Sequence, residues 1–304
     1  MTRLRVAPSL IAPLLTMTDF GHLLHHVAKG KRLSQVQDLW ILTDPVEYPG
    51  IDQVFPMYPE QPFFLDEWDR TKLQGAHVLE IGLGSGVLSI GALRAGAKQV
   101  TALEINPRAK LFAGFNALVN GVSEGLCILD GDREDLWAPV RGQQFDMIIS
   151  NPPFMPTPDD SRHYYHSGGG GLLGMDFLET IFRQLDEHLK PSGRAQIVTA
   201  APGDDQLPTA LLALVERHLS GSTQVRIDPL ALPFEVLTHH LPEGFPIETI
   251  ETMNKQLREQ GITHQYLCVI HYAKGEKSLH CERSAPHPAW DLPLEPSPTA
   301  AVPS

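Results

Sequence analysis

The segment HVLEIGLGSG, residues 77–86, joins a short apolar run to three glycines at alternate positions, Gly82, Gly84 and Gly86. His77 to Ile81 reads as a buried strand, and the glycines as a tight turn in which the backbone can approach a ligand closely. A helix predicted over 85–95 follows, so its first N–H groups face the same space. Downstream, the same alternation repeats. Strands are predicted at 99–105, 126–130, 145–150, 194–200, 223–228 and 264–273, and helices at 107–120, 172–189 and 206–219. Pro107 suits the first turn of its helix. Seven strands alternating with helices predict an α/β fold, a doubly wound, mostly parallel sheet covered on both faces.

Outside this unit the pattern changes. Residues 1–75 read as a small N-terminal helical or mixed domain, a cap that would recognise a substrate. It has loose helical spacing over 9–29, a short strand at 38–43, and a proline-punctuated stretch leading to a helix at 62–70. The sheet domain is expected over 76–275, with an insertion at 229–263 that carries a helix at 247–260. Residues 276–304 hold Pro286, Pro288, Pro293, Pro296, Pro298 and Pro303 and little apolar surface, so a disordered tail is expected.

The chain has 304 residues, with 24 Lys and Arg against 36 Asp and Glu, a net charge of −12. That balance disfavours generic nucleic-acid or membrane-surface binding, because long-range attraction to phosphates needs the opposite sign. The exception is residues 1–32, where Arg3, Arg5, Lys29, Lys31 and Arg32 face Asp19 alone, a local excess of +4. Cys127, Cys268 and Cys281 form no C-x-x-C pair, and a cytoplasmic location is expected. Pro13 interrupts the apolar stretch after Arg3 and Arg5, so no signal peptide is expected. No apolar run reaches the roughly 20 residues that span a bilayer. His22, His25 and His26 read as a solvated helix face, and no metal site is expected. His163-Tyr164-Tyr165-His166 reads equally as a pocket lining or an ordinary loop.

Two ligands compete for the glycine turn. The dinucleotide fingerprint G-x-G-x-x-G would need glycine at 87, where the chain has Val87. A nicotinamide oxidoreductase is therefore disfavoured. Glu104 closes the second strand, where a carboxylate can accept both ribose hydroxyls. Asp132, in Asp130-Gly131-Asp132-Arg133, follows the third strand. Asn151-Pro152-Pro153-Phe154 follows the strand at 145–150, at the sheet edge where open α/β folds bind ligands. Pro152 and Pro153 stiffen that turn. The Asn151 side-chain oxygen and the Pro152 carbonyl can accept the two N–H bonds of an –NH2 group, and Phe154 offers an aromatic face to a planar amide or base.

The pattern Glu80-x-Gly82-x-Gly84-x-Gly86 resembles the first motif of class I S-adenosylmethionine (SAM) methyltransferases. Asn151-Pro152-Pro153-Phe154 resembles the active-site motif of those acting on planar nitrogens. Residues 150–156, 168–177 and 189–194 resemble release-factor glutamine N5-methyltransferases, over about 76–200 in all. Residues 54–61 resemble that family's P-R-P-x-T segment only weakly, without its Arg or Thr. The resemblance implies a Rossmann-like fold and SAM as cofactor. It implies cofactor contacts from Glu80 near the amino group, Gly82, Gly84, Gly86, Glu104, Ile105, Asp132 near the adenine, Arg133 and Asn151. Asn151, Pro152 and Phe154 would be catalytic, and Pro153 would join them in holding the acceptor. The expected reaction is methyl transfer to an amide or amine nitrogen, foremost a protein glutamine. A small-molecule acceptor, a nucleic-acid base amine and a non-catalytic SAM-binding module are the alternatives.

Overall fold

The computed structural model describes residues 30–156, 170–234 and 247–286. The helix expected over 9–29, the two histidine clusters and the end of the proline-rich tail lie outside the described residues. An antiparallel hairpin opens the described chain, β1 (Arg32–Val36) and β2 (Leu39–Thr43), followed by α1 (Glu60–Asp66). The unit then runs β3 (His77–Ile81), α2 (Val87–Arg94), β4 (Gln99–Glu104), α3 (Pro107–Val119), β5 (Leu126–Asp130) and β6 (Phe145–Ser150). It continues with α4 (Asp176–His188), β7 (Leu189–Gly203), α5 (Thr209–His218), β8 (Ser222–Pro233), α6 (Ile247–Glu259), β9 (His264–Ala273) and β10 (Ser278–Arg283).

The main sheet has the order β10-β8-β9-β7-β6-β3-β4-β5. Every neighbouring pair is parallel except the two that involve β9. The doubly wound, mostly parallel architecture is as the sequence predicts. Among the described residues this sheet has eight strands rather than seven. The extra strand, β10, falls inside the stretch expected to be a disordered tail, and it pairs in parallel with β8 from Ser278↔Ser222 to Arg283↔Ile227. Its sequence, SLHCER, has only a mild alternation and sits beside prolines, so composition hides it.

Alternation along the central strands divides the core. Leu79, Ile81 and Ile148 face α4 and α5, together with Leu178, Ile181 and Leu211. Val78, Met147 and Ile149 face the other way and pack with Val87, Leu88 and Ile90 of α2. Phe63, Phe64 and Leu65 of α1 and Val36, Leu39 and Ile41 of the hairpin belong to this second core. Residues 30–75 thus share a core with the sheet. Asn116 on α3 reinforces the join. It accepts from Leu42 N–H at 2.8 Å and donates to the Leu42 and Ser85 carbonyls, each at 2.9 Å. Fully buried Asp44 pairs with Arg108 at 2.6 Å and Lys31 at 3.2 Å. Burial would raise its pKa, but these cations and the Val54 N–H hold it below the ordinary carboxylate value.

Candidate active site

The register of the parallel strands gathers the expected site residues at one edge. Ile81 aligns with Leu103 on one side and with Ser150 on the other, and Glu104 aligns with Asp130. The chain therefore leaves the sheet at Gly82, Ile105, Gly131 and Asn151 along a common edge. Ser150 Oγ donates to the Ile81 carbonyl at 2.7 Å, tying the start of the N-P-P-F turn to the start of the glycine turn.

Gly82, Gly84 and Gly86 all have positive φ, +79°, +52° and +83°. The three do different work. A Cβ on Gly86 would lie 2.9 Å from the Cβ of Ala113 and 3.2 Å from its Cα, so this glycine lets α2 pack on α3. A Cβ on Gly82 or Gly84 would meet nothing within 4 Å. Their open side is a cradle beside the helix N-terminus, of the kind a ligand occupies.

Glu104 lies against that cradle and is 7% exposed. Its Oε2 accepts from Gly84 N–H at 2.7 Å and its Oε1 from Asn106 N–H at 2.8 Å. Burial pushes its pKa up, and these backbone N–H groups work against the shift. A carboxylate has about four acceptor positions, so capacity remains for a ligand hydroxyl. Asn106 also caps α3, accepting from Arg108 N–H at 2.9 Å.

Glu80 points to the α2 face of the sheet rather than to the cradle. It is 1% exposed and accepts a hydrogen bond from Ser89 Oγ. Burial pushes its pKa up to about 8, with Glu104 adding to the rise. Asp132 is exposed and closes its own turn, accepting from Glu134 N–H at 2.8 Å and Asp135 N–H at 3.0 Å. These N–H groups hold its pKa below the ordinary value. Arg133 is exposed beside it, and half-buried Ile105 packs over Gly131.

In the N-P-P-F turn, Pro152 is buried while Asn151, Pro153 and Phe154 are partly exposed. The Asn151 Oδ1 is inaccessible to solvent and has no hydrogen-bond partner among the described residues. Glu60 lies close enough for the Asn151 side chain to work against the rise that burial causes in its pKa. Sequence reasoning missed Glu60, although it lies in the weakly similar segment 54–61. Gly174 was also missed as an individual residue. A Cβ there would lie 2.1 Å from the Phe154 carbonyl oxygen, so this glycine backs the turn. The groups of His, Cys, Asp and Glu among the described residues form no metal-holding cluster.

Comparison with known proteins gives the arrangement its context. Residues 63–152 match the family model of ribosomal protein L11 methyltransferase (PrmA). A tRNA1(Val) (adenine(37)-N6)-methyltransferase from Porphyromonas gingivalis is 32% identical over 180 residues, 57% of this chain and 68% of that protein. The chain belongs to the class I SAM-dependent methyltransferases. A candidate protein N5-glutamine methyltransferase from Methanocaldococcus jannaschii is 35% identical over 127 residues, 41% of this chain; this methyltransferase chain spans 61% of that relative's length. The SAM-dependent methyltransferase from Agrobacterium tumefaciens shares the fold, with a TM-score of 0.52 at 15% identity over 81% of this chain and 70% of that one. For a class I methyltransferase, the glycine cradle and Glu104 fit the cofactor: open space beside two glycines and a buried carboxylate with acceptor capacity left.

Proposed function

We propose that this chain transfers a methyl group from SAM to a planar amide or amine nitrogen, foremost a protein glutamine side chain. The observation that carries the reading is Asn151, whose buried, unpartnered Oδ1 stands one strand away from the glycine cradle. A desolvated acceptor atom without a partner costs free energy, typically about 1–3 kcal/mol, unless a ligand completes it. An N–H of an acceptor –NH2 is the complementary group. SAM would supply an electrophilic methyl carbon on a sulfonium: as the nitrogen lone pair forms the N–C bond the S–C bond would break, the neutral thioether would leave, and one nitrogen proton would pass to solvent.

The protein's part is placement. Gly82 and Gly84 leave room for the cofactor, and Glu104 takes its ribose hydroxyls. Asp132 and Arg133 border the expected adenine end and Ile105 packs beneath it. Glu80, given to Ser89, acts from behind the turn in this reading rather than by direct contact. Asn151 and the Pro152 carbonyl hold the acceptor –NH2 so that its lone pair faces the methyl, while Pro153 stiffens the turn and Phe154 supports the planar group. Such positioning can lower a barrier by on the order of 7–11 kcal/mol when alignment is good. The Asn151 oxygen also stabilises the positive charge that grows on nitrogen. Residues 30–75 border this edge and serve acceptor recognition in the proposal.

A second reading, an adenine amine in RNA, is favoured by the likeness to the P. gingivalis tRNA enzyme. Against it stand the net charge of −12 and the engagement of Lys31, one of five basic residues in the first 32, with Asp44. Among the described residues no helix is long and apolar enough to cross a membrane, and a cytoplasmic site of action is part of the proposal. Incubating the protein with methyl-labelled SAM and cell lysate, then separating protein, nucleic acid and small molecules, tests the acceptor class. Label in protein supports the glutamine reading. Label in RNA, with binding that weakens steeply as salt rises, replaces it with the base-amine reading.

A further inference from the structure

We propose that Asn106 is a positioning residue that aims the Glu104 carboxylate at the cofactor ribose and is itself pinned by residues 44–54 of the N-terminal segment. The inference deepens the reading of Glu104 as the acceptor of the ribose hydroxyls and rests on it. Asn106 stands between β4 and α3 and is 1% exposed. It bonds in three directions. Its backbone N–H donates to Glu104 Oε1 at 2.8 Å. Its Oδ1 accepts from Arg108 N–H at 2.9 Å, and its Nδ2 donates to the Asp52 carbonyl at 3.0 Å.

Capping α3 does not by itself call for asparagine, since Ser, Thr and Asp also cap helices well. Ser and Thr have a single hydroxyl to serve both partners, and ionised Asp has no donor. Asn joins an accepting oxygen to a separate –NH2, so it can cap α3 and donate to Asp52 at once. The side chain therefore does something beyond ending a helix: it ties the Glu104 loop to a segment more than fifty residues away.

The carbonyl at the far end of that tie is itself held. Asp44 N–H donates to the Val54 carbonyl at 3.0 Å, and Val54 N–H donates to Asp44 Oδ2 at 2.9 Å, closing the base of the segment. Tyr48 Oη donates to Asp52 Oδ1 at 3.0 Å. Arg108, in the first turn of α3, grips Asp44 through Nε at 3.0 Å and Nη2 at 2.6 Å. Residues 44–54 and the start of α3 thus form one clamp, with Asn106 as its contact to Glu104. With the Asn106 N–H fixed on Oε1 and the Gly84 N–H on Oε2, the carboxylate cannot turn freely about its last bond. Its remaining acceptor capacity keeps one direction. Residues 44–54 in this way serve the cofactor as well as bordering the acceptor.

The test reads the ribose hydroxyls themselves. Calorimetry on the full chain compares S-adenosylhomocysteine, the demethylated cofactor, with its analogue lacking both ribose hydroxyls. The wild type should bind the parent about tenfold or more tighter, the scale of hydrogen bonds to a charged group. Asn106→Ser still caps α3 but cannot also hold Asp52. It should cut that preference by about threefold or more, the coupling expected within one hydrogen-bond network, while binding the analogue as the wild type does. A role confined to the fold would weaken both ligands alike, and an unchanged ratio overturns the proposal. Hydrogen exchange across residues 44–54 should be faster in Asn106→Ser, and an unchanged rate overturns the pinning through Asp52. Should Asn106→Ser fail to fold, Asn106→Asp, which keeps the size and the cap but has no donor, carries both readings. Glu104→Ala separates the two levels. If it abolishes the hydroxyl preference while Asn106→Ser retains it in full, Glu104 remains the ribose acceptor and Asn106 does not position it. If Glu104→Ala retains the preference, the ribose reading of Glu104 fails and the proposal falls with it.

Discussion

The cofactor side and the acceptor side of this sheet edge are built differently. The cofactor side comes from residues close in sequence and is fastened by backbone: Glu104 accepts from Gly84 and Asn106 N–H, and Gly82 and Leu83 N–H both donate to the Leu103 carbonyl. The acceptor side is assembled from separate segments. Asn151 follows β6, Glu60 opens α1, and Gly174 precedes α4. One of its polar atoms, Asn151 Oδ1, lacks a partner among the described residues. In the proposed reading, the first side is preorganised for the cofactor, and the second can change its acceptor through distant segments without disturbing the glycine turn.

If the two sides are separable, substitutions should affect one and spare the other. The largest effect is expected at Asn151. Asn151→Ala should lower methyl transfer roughly a hundredfold or more, as when a preorganised polar group is removed from a transition state. SAM affinity by calorimetry should stay within a few-fold. A parallel loss of both would erase the distinction.

The glycines divide next. Gly86→Ala meets both the cost of a left-handed backbone, about 1–2 kcal/mol, and a clash with Ala113, typically about 1–3 kcal/mol. Denaturant unfolding should show the combined loss. Gly84→Ala meets only the backbone cost, yet places a methyl in the cradle and should weaken SAM binding more than it weakens the fold. Equal stability losses in the two variants would contradict this division.

Glu104→Ala should weaken SAM binding by about 1–3 kcal/mol, because ligand hydroxyls lose their acceptor in a desolvated site. Calorimetry reads this directly, and unchanged affinity would remove Glu104 from the cofactor side.

The last expected effect is a pH dependence of stability at Glu80. Its folded pKa, about 8, lies above the ordinary 4.5, so the native state binds this proton more tightly than the unfolded chain does. The stability it contributes is fully present below about pH 4.5 and is lost as pH rises through about 8. Glu80→Gln lacks that loss. The variant's melting temperature relative to the wild type should therefore rise between about pH 5 and about pH 8.5. A constant difference would show that Glu80 ionises freely in the folded protein.

This division also explains what the sequence disclosed. The cofactor side was legible because its residues sit at fixed distances after strands: glycines follow β3, Glu104 closes β4 and Asp132 follows β5. The turn at Asn151 was legible for the same reason. The nearness of Glu60 to Asn151 was not, because it depends on α1 packing against the α2 side of the sheet, which no local pattern encodes. Nor was the direction of Glu80. Its place one residue from Leu79 puts it on the opposite face, toward Ser89, and the motif alone does not say so. β10 was hidden because an edge strand needs little apolar sequence when β8 supplies the pairing.

The central claim is that the methyl group goes to nitrogen, and the chemistry of the labelled product tests it most directly. Product made by the wild type from methyl-labelled SAM and lysate is split between mild base and acid hydrolysis. The account predicts label that survives mild base and, for a glutamine acceptor, leaves as methylamine in acid. Label released by mild base as methanol would mark an oxygen ester, and it would contradict the assignment of Asn151 as the residue that holds an amine for methylation.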